Sequence, residues 1–190
     1  HVTTRTQDHL VTLNMHRGLY IWDPEKNMPV PDLAEKVEVS DDGLVYTYTL
    51  RDNIKFHNGR QLVADDVIWS FTRIMTPDTA SPCSRHIRGI QGAKQFEDGQ
   101  ADNIAGLRKI DDVTVEVTLD GAIDPSYAFF EPCAAILPRE EVEKDASAFG
   151  LAPVGCGPFK FVNWVKGSEL IMEKFPDYYE EGKPYLDKLV

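Results

Sequence analysis

Three pairs of short segments, each joined by a turn, most constrain what this chain can fold into. Alternation of apolar and polar residues is typical of strands, and Asp-Gly or Lys-Gly between two such runs favours a hairpin. The three pairs predict strands at residues 37–39 and 45–50, 106–110 and 113–119, and 159–165 and 169–174. Further short strands are predicted at residues 19–22, 54–56 and 136–138, and residues 25–31 are predicted to be a connection.

Helices are predicted where apolar residues recur every three or four positions. In residues 64–75, Val67, Phe71 and Ile74 fall on one face, and Pro77 ends the helix. The other predicted helices span residues 5–17, 93–98, 125–130 and 139–144, and residues 76–92 are predicted to be mostly loop. Hairpins and helices interspersed in this way indicate a mixed α+β fold.

Composition excludes some classes of protein. The 190 residues include 31 Asp and Glu against 20 Lys and Arg, so a polyanionic nucleic acid would be repelled. Charged residues interrupt every apolar stretch before it reaches the roughly 18 residues of a membrane span. The sequence shows no signal peptide. Three scattered cysteines predict at most one disulfide, and no metal site or cofactor is expected.

Several segments, in order along the chain, resemble one known family. They read PDLAE at 31–35, VSDDGLVYTYTLR at 39–51, KFHNG at 55–59, ADDV at 64–67, TASP at 79–82, VGCGPFKF at 154–161, PDYY at 176–179 and KPYLD at 183–187. Together they resemble the extracellular solute-binding proteins of family 5, the periplasmic dipeptide-, oligopeptide- and nickel-binding proteins of ABC importers. The resemblance implies a periplasmic binding protein-like II fold.

The resemblance also implies a domain organisation. Members of this family are much longer, so the chain is similar to an N-terminal fragment. Residues 1–30 would form part of lobe one, residues 31–152 a small accessory domain with its connections, and residues 153–190 a return to lobe one. The second lobe would be absent.

The implied function is the capture of peptides or similar small solutes in the periplasm. Closure of the two lobes around the ligand would precede delivery to a membrane permease. The resemblance implies a monomer without enzymatic activity. Two alternatives stay open. One is a carrier for nickel chelates or haem, and the other is a hydrolase that uses Cys83 or Cys156 with a histidine.

The resemblance places two candidate segments at the ligand cleft. Arg17 and Gly18 stand where the family presents backbone to the ligand, although Arg17 could instead be a surface arginine at a helix C-terminus. In the loop at residues 81–86, Cys83, Arg85 and His86 offer a thiol, a cation and an imidazole. Arg85 could hold a carboxylate, or the loop could simply be exposed. Cys83 and His86 alone would not complete a metal coordination shell.

Cys133 lies in a third segment, residues 131–135, which the resemblance places at the cleft edge. If both loops border one cleft, Cys83 and Cys133 would lie close enough to form a disulfide, which the oxidising periplasm permits. The alternative is two buried free thiols.

The remaining candidates have structural interpretations. The sequence around Cys156 lacks the Gly-Lys-Ser/Thr of a phosphate loop, so Gly155 and Gly157 are expected to permit a tight backbone crossing. No neighbouring histidine in sequence supports Cys156 as a nucleophile. His57 is expected at the surface. Five aromatic residues are expected to pack between the last hairpin and the rest of the protein: Trp164, Phe175, Tyr178, Tyr179 and Tyr185.

Overall fold

The computed structural model describes residues 6–190, with side chains from residue 9 onward. The strands are β1 Tyr20–Asp23, β2 Met28–Pro31, β3 Ala34–Val39, β4 Val45–Leu50, β5 Leu107–Asp111, β6 Thr114–Thr118, β7 Phe159–Val165, β8 Glu169–Lys174 and β9 Lys188–Leu189. The α-helices are α1 Thr6–Met15, α2 Ala64–Met75, α3 Ser84–Ile87, α4 Ala93–Glu97, α5 Ser126–Phe129, α6 Arg139–Lys144 and α7 Ala146–Leu151. Two 3-10 helices span Pro77–Thr79 and Pro132–Ala134.

The strands form three antiparallel sheets. β1 pairs with β2, the second sheet has the order β3-β4-β6-β5, and the third has the order β7-β8-β9. The apolar face of α2 packs in the main core together with the buried face of the second sheet, which includes Tyr48, Val115 and Val117. A separate small cluster of Met15, Phe159 and Met172 joins α1 to the third sheet.

The strongest local patterns were read correctly. The predicted bounds of α2, α6, β7 and β8 are confirmed, and the three predicted hairpins are all present. The helix predicted from Arg5 to Arg17 is observed as α1, which ends at Met15, while Arg5 lies outside the described residues. The fold is therefore mixed α and β, as expected.

Three of the shorter predictions were wrong. Residues 28–31 are not part of a connection but form β2, whose two prolines are tolerated because the two-stranded sheet leaves edge positions for them. Residues 54–56 form only an isolated bridge, from Lys55 to Gln61. Residues 136–138 form no strand. In both segments the apolar side chains are buried, with Ile54, Phe56 and Ile136 in the main core, so the apolar residues indicated burial and not strand pairing.

The segment at residues 155–157 crosses another part of the backbone at very short range. The Gly157 N–H donates to the Met15 carbonyl oxygen at 2.9 Å, and the His57 N–H donates to the Gly155 carbonyl oxygen at 2.7 Å. A Cβ atom on Gly155 would lie 1.9 Å from the Met15 carbonyl oxygen, and one on Gly157 would lie 2.6 Å from the Met15 carbonyl carbon. The expected tight crossing is confirmed.

Gly155→Ala should destabilise the protein by about 3 kcal/mol, because the added methyl group meets the main chain of Met15, which is fixed, as well as the buried ring of His16. The matched control is Gly121→Ala, since nothing lies within 4 Å of a Cβ built on Gly121. Urea denaturation of both variants would measure the two free energies of unfolding. Equal values for the two variants would contradict the close crossing.

Candidate functional site

A small depression, with free space of about 10 Å³ or roughly one water molecule, lies where three segments meet. Its walls come from the C-terminal end of α1, the start of β1 and residues 130–135. Arg17 and Gly18 line it, as does Glu131 from the third candidate segment. The structure thus brings two of the three segments singled out in the sequence to one surface.

Arg17 lies within the protein and not at an exposed helix end. Its side chain is only 13% exposed, and its Nε lies 3.5 Å from Asp32 Oδ2. The same Nε donates to the Tyr178 hydroxyl at 3.2 Å, and Nη1 donates to the Leu13 carbonyl oxygen at 2.9 Å. The guanidinium charge is therefore largely engaged by internal partners, and the interpretation of Arg17 as a surface arginine was wrong.

Asp32 is the centre of this internal network. It is 6% exposed, and its second carboxylate oxygen accepts a hydrogen bond from the Tyr179 hydroxyl. Burial raises the pKa of Asp32, and the neighbouring charge of Arg17 opposes that rise. Burial works to lower the pKa of Arg17, but Tyr178 and Asp32 outweigh it and the pKa is raised. The pair ties the end of α1 to residues 31–33 and to the C-terminal part of the chain.

Gly18 lies where a side chain would not fit. A Cβ on Gly18 would be 2.9 Å from the Phe129 carbonyl oxygen and 3.5 Å from that of Ala134. The Gly18 carbonyl oxygen accepts from the Leu33 N–H at 3.4 Å. The glycine thus allows α5 and the following 3-10 helix to approach the floor of the depression.

Cys83 and Cys133 form a disulfide, with their Cα atoms 6.1 Å apart. Both residues are buried, at 5% and 3% exposure. The bond joins the start of α3 to the 3-10 helix that follows Glu131. It connects the loop at residues 81–86 with the edge of the depression.

Arg85 and His86 lie on α3 but do not line the depression. Arg85 is exposed, and its Nη1 donates to the Pro82 carbonyl oxygen at 3.2 Å. The Nε2 atom of His86 is buried and has no hydrogen-bond partner among the side chains and backbone of the described residues. Burial, with a smaller contribution from Arg85, lowers the pKa of His86, and Glu131 opposes that change. The imidazole is therefore neutral near pH 7.

Comparison with known proteins assigns this chain to a family. The profile described as "Bacterial extracellular solute-binding proteins, family 5 Middle" matches residues 28–190. The chain belongs to the family 5 extracellular solute-binding proteins. This confirms the resemblance seen in the sequence.

Relatives of this family 5 protein carry peptide-related names. The chain is 33% identical to the "Glutathione-binding protein GsiB" of Salmonella paratyphi A over 97% of its own length and 33% of the relative's. It is 34% identical to the "Di/tripeptide-binding protein 4" of Pseudomonas aeruginosa, covering 85% of this chain and 32% of that one. The chain thus spans about a third of the length of the curated relatives it matches.

Solved structures confirm the fold of this family 5 chain. A periplasmic oligopeptide-binding protein of Borrelia burgdorferi superposes with a TM-score of 0.92 at 28% identity, covering 98% of this chain and 38% of that one. Listeria monocytogenes OppA bound to peptide gives a TM-score of 0.91 at 26% identity, with the same coverage.

Cys156 and His57 of the family 5 chain are structural residues. Cys156 is fully buried, and burial raises the pKa of its thiol to about 12, so a thiolate nucleophile does not form there near neutral pH. The prediction of a surface position for His57 was wrong. Its Nδ1 accepts from the Gly155 N–H at 3.2 Å, and Nε2 lies 3.0 Å from the Gly157 carbonyl oxygen. Its ring packs against Phe175.

The described part of this family 5 chain holds neither a cluster of metal-ligating side chains nor a membrane-spanning helix. No group of three His, Cys, Asp or Glu side chains from residue 9 onward could hold a metal ion. Among residues 6–190, no helix is both long and apolar enough to cross a membrane.

The aromatic prediction holds for three of the five residues. Phe175 and Tyr178 are buried, and Tyr179 packs against the main core. Trp164 and Tyr185 do not pack inside, with 42% and 86% of their surface exposed. The sequence did not single out Asp32 as a partner of Arg17. The acidic residue in PDLAE was visible, but nothing local indicated which cation it would meet.

Proposed function

We propose that this chain is part of the substrate-binding component of an ABC importer, and that the solute is a peptide or a similar small molecule. One observation carries the proposal. Nearly the whole chain shares its fold with proteins named as oligopeptide-binding, including one named as bound to peptide. The names of the sequence relatives, which mention glutathione and di- and tripeptides, support the same ligand class.

In this proposal the chain supplies one side of the ligand cleft. Residues 1–30 and 153–190 belong to lobe one, and residues 31–152 form a small accessory domain with its connections. The Arg17–Asp32 contact and the backbone crossing at Gly155 would hold these parts in register. A second lobe, from a longer polypeptide, would supply the opposite wall and exclude water on closure.

The proposal includes a periplasmic location, a monomeric protein and a membrane permease as partner. It excludes enzymatic activity. The hydrolase alternative is not favoured, because Cys156 is inaccessible and Cys83 is bonded to Cys133. No contact in the described structure favours a nickel chelate or haem over a peptide, and the names of the relatives favour a peptide.

Native mass spectrometry of the longer protein, purified from the periplasm without refolding, would test this function. We expect a bound mass in the range of small peptides that disappears on denaturation. Calorimetric titration of the emptied protein with tripeptides should then give saturable binding. A haem or metal-chelate mass, or no binding of any peptide tested, would contradict the proposal.

A further inference from the structure

We propose that Glu131 is a specificity-determining residue that selects ligands with a cationic group at this side of the cleft. The inference rests on the proposed function and names the ligand class more closely. A lysine or arginine side chain and the α-ammonium group of a peptide share the required chemistry.

Glu131 lines the depression beside Arg17 and Gly18, and it is half-buried. A carboxylate in such a place loses part of its hydration, so a cation that reaches it is held more strongly than at an open surface.

From residue 9 onward, the Glu131 carboxylate forms no ion pair. Arg17 lines the same depression, but its guanidinium already contacts Asp32, Tyr178 and the Leu13 carbonyl oxygen. His86, the titratable neighbour on α3, has a lowered pKa and is neutral near pH 7. The free charge on the lining is therefore negative.

The backbone that carries the Glu131 carboxylate is held in place by hydrogen bonds and a disulfide. The Ala134 N–H donates to the Glu131 carbonyl oxygen at 2.8 Å, within a 3-10 helix that begins at Pro132. The disulfide at Cys133 and the bond from the Ile136 N–H to the Arg17 carbonyl oxygen, at 2.9 Å, hold the segment on both sides. A preorganised charge loses little conformational entropy when a ligand binds.

Aromatic residues line the same depression as Glu131. Phe130 and Tyr20 also line the depression, and the Phe130 ring lies 5.5 Å from that of Trp22. Trp22 is 39% exposed. Aromatic faces suit both the methylene stem and the charged end of a cationic side chain. Carboxylate and rings together thus favour a cation over a neutral or anionic group.

Calorimetric titration of the full-length protein with a matched set of tripeptides would test the inference. The probes are Ala-Lys-Ala, Ala-norleucine-Ala and Ala-Glu-Ala, each with a free and with an acetylated N-terminus. We expect a cationic probe to bind about tenfold more tightly than its neutral counterpart. Tighter binding of Ala-Lys-Ala than of Ala-norleucine-Ala would identify a contact with the lysine side chain. Tighter binding of the free peptides than of their acetylated forms would identify a contact with the α-ammonium group.

Glu131→Gln should abolish this preference while binding of the neutral acetylated probe stays within about twofold. Glu131→Lys should reverse it in favour of Ala-Glu-Ala. Glu169→Gln, an exposed site at the start of β8, removes the same charge elsewhere and should leave the preference intact. Equal binding of all probes to the unaltered protein would overturn the inference but leave the proposed function standing. Binding of no probe would remove both.

Discussion

Lowering the pH from 7 to 4.5 should reduce the free energy of unfolding by about 5 kcal/mol, because the buried His16 and the half-buried His57 are both held in the neutral form. Burial, reinforced by the nearby His57, lowers the pKa of His16 from 6.5 to about 3. Burial and the charge of Lys160 lower the pKa of His57 to about 4, although its hydrogen bond to Gly157 opposes the change. Both histidines contact the crossing segment at residues 155–157.

The direction of the effect follows from proton binding. Below pH 6.5 the unfolded chain protonates both histidines, whereas the folded protein leaves them neutral until about pH 4 for His57 and pH 3 for His16. The unfolded state therefore gains stability as the pH falls through this window. Each histidine contributes about 1.4 kcal/mol per pH unit.

Urea denaturation between pH 7 and 4.5 would measure this effect. In His57→Gln, the amide can still accept from Gly155 and donate to Gly157, so the fold should persist and about half of the pH dependence should disappear. A free energy of unfolding that changes by less than about 1 kcal/mol in the unaltered protein would contradict the neutral burial of these histidines.

Reduction of the bond between Cys83 and Cys133 should cost about 4 kcal/mol, since it releases a closed loop of 50 residues in the unfolded chain. The loss should appear as a lower denaturation midpoint in the presence of a reductant. The Cys83→Ser, Cys133→Ser double variant should reproduce the reduced value and be insensitive to reductant.

Cysteine labelling provides the matching control. Without reductant, the denatured protein should react with alkylating reagent at Cys156 alone, since it is the cysteine outside the bond. After reduction, all three cysteines should react. Labelling of Cys83 and Cys133 without reductant would show two free thiols, and a stability unchanged by reductant would show that the bond contributes nothing.

Local patterns predicted the parts of the fold that local physics determines. The apolar stripe of α2 and the three hairpins depend on residues at most 16 positions apart, such as Ala34 and Leu50, so their periodicity was sufficient. β2 was missed because Pro29 and Pro31 resemble a connection, and only its pairing with β1 makes it a strand.

The candidate site was less predictable, because it is assembled from distant parts of the chain. Arg17 and Gly18 were found through the family resemblance, but the Asp32–Tyr179 bond joins residues 147 positions apart. No sequence pattern specifies such a pairing. For the same reason His57, which follows a short apolar run, was assigned to the surface although it packs beneath Gly155. Burial of a polar residue depends on which distant segment covers it.

The crossing at Gly155 also has a consequence for biosynthesis. α1 leaves the ribosome well before its partners Gly157, Phe159 and Met172, which are translated about 140 residues or more afterwards. All four strands of the second sheet, as well as α2, have been translated once synthesis reaches Thr118. This core can therefore form before the partners of α1 have been made. Each new molecule therefore exposes Val11 and Met15 of α1 for many seconds at ordinary elongation rates. A chaperone that covers exposed apolar residues would act mainly in this interval.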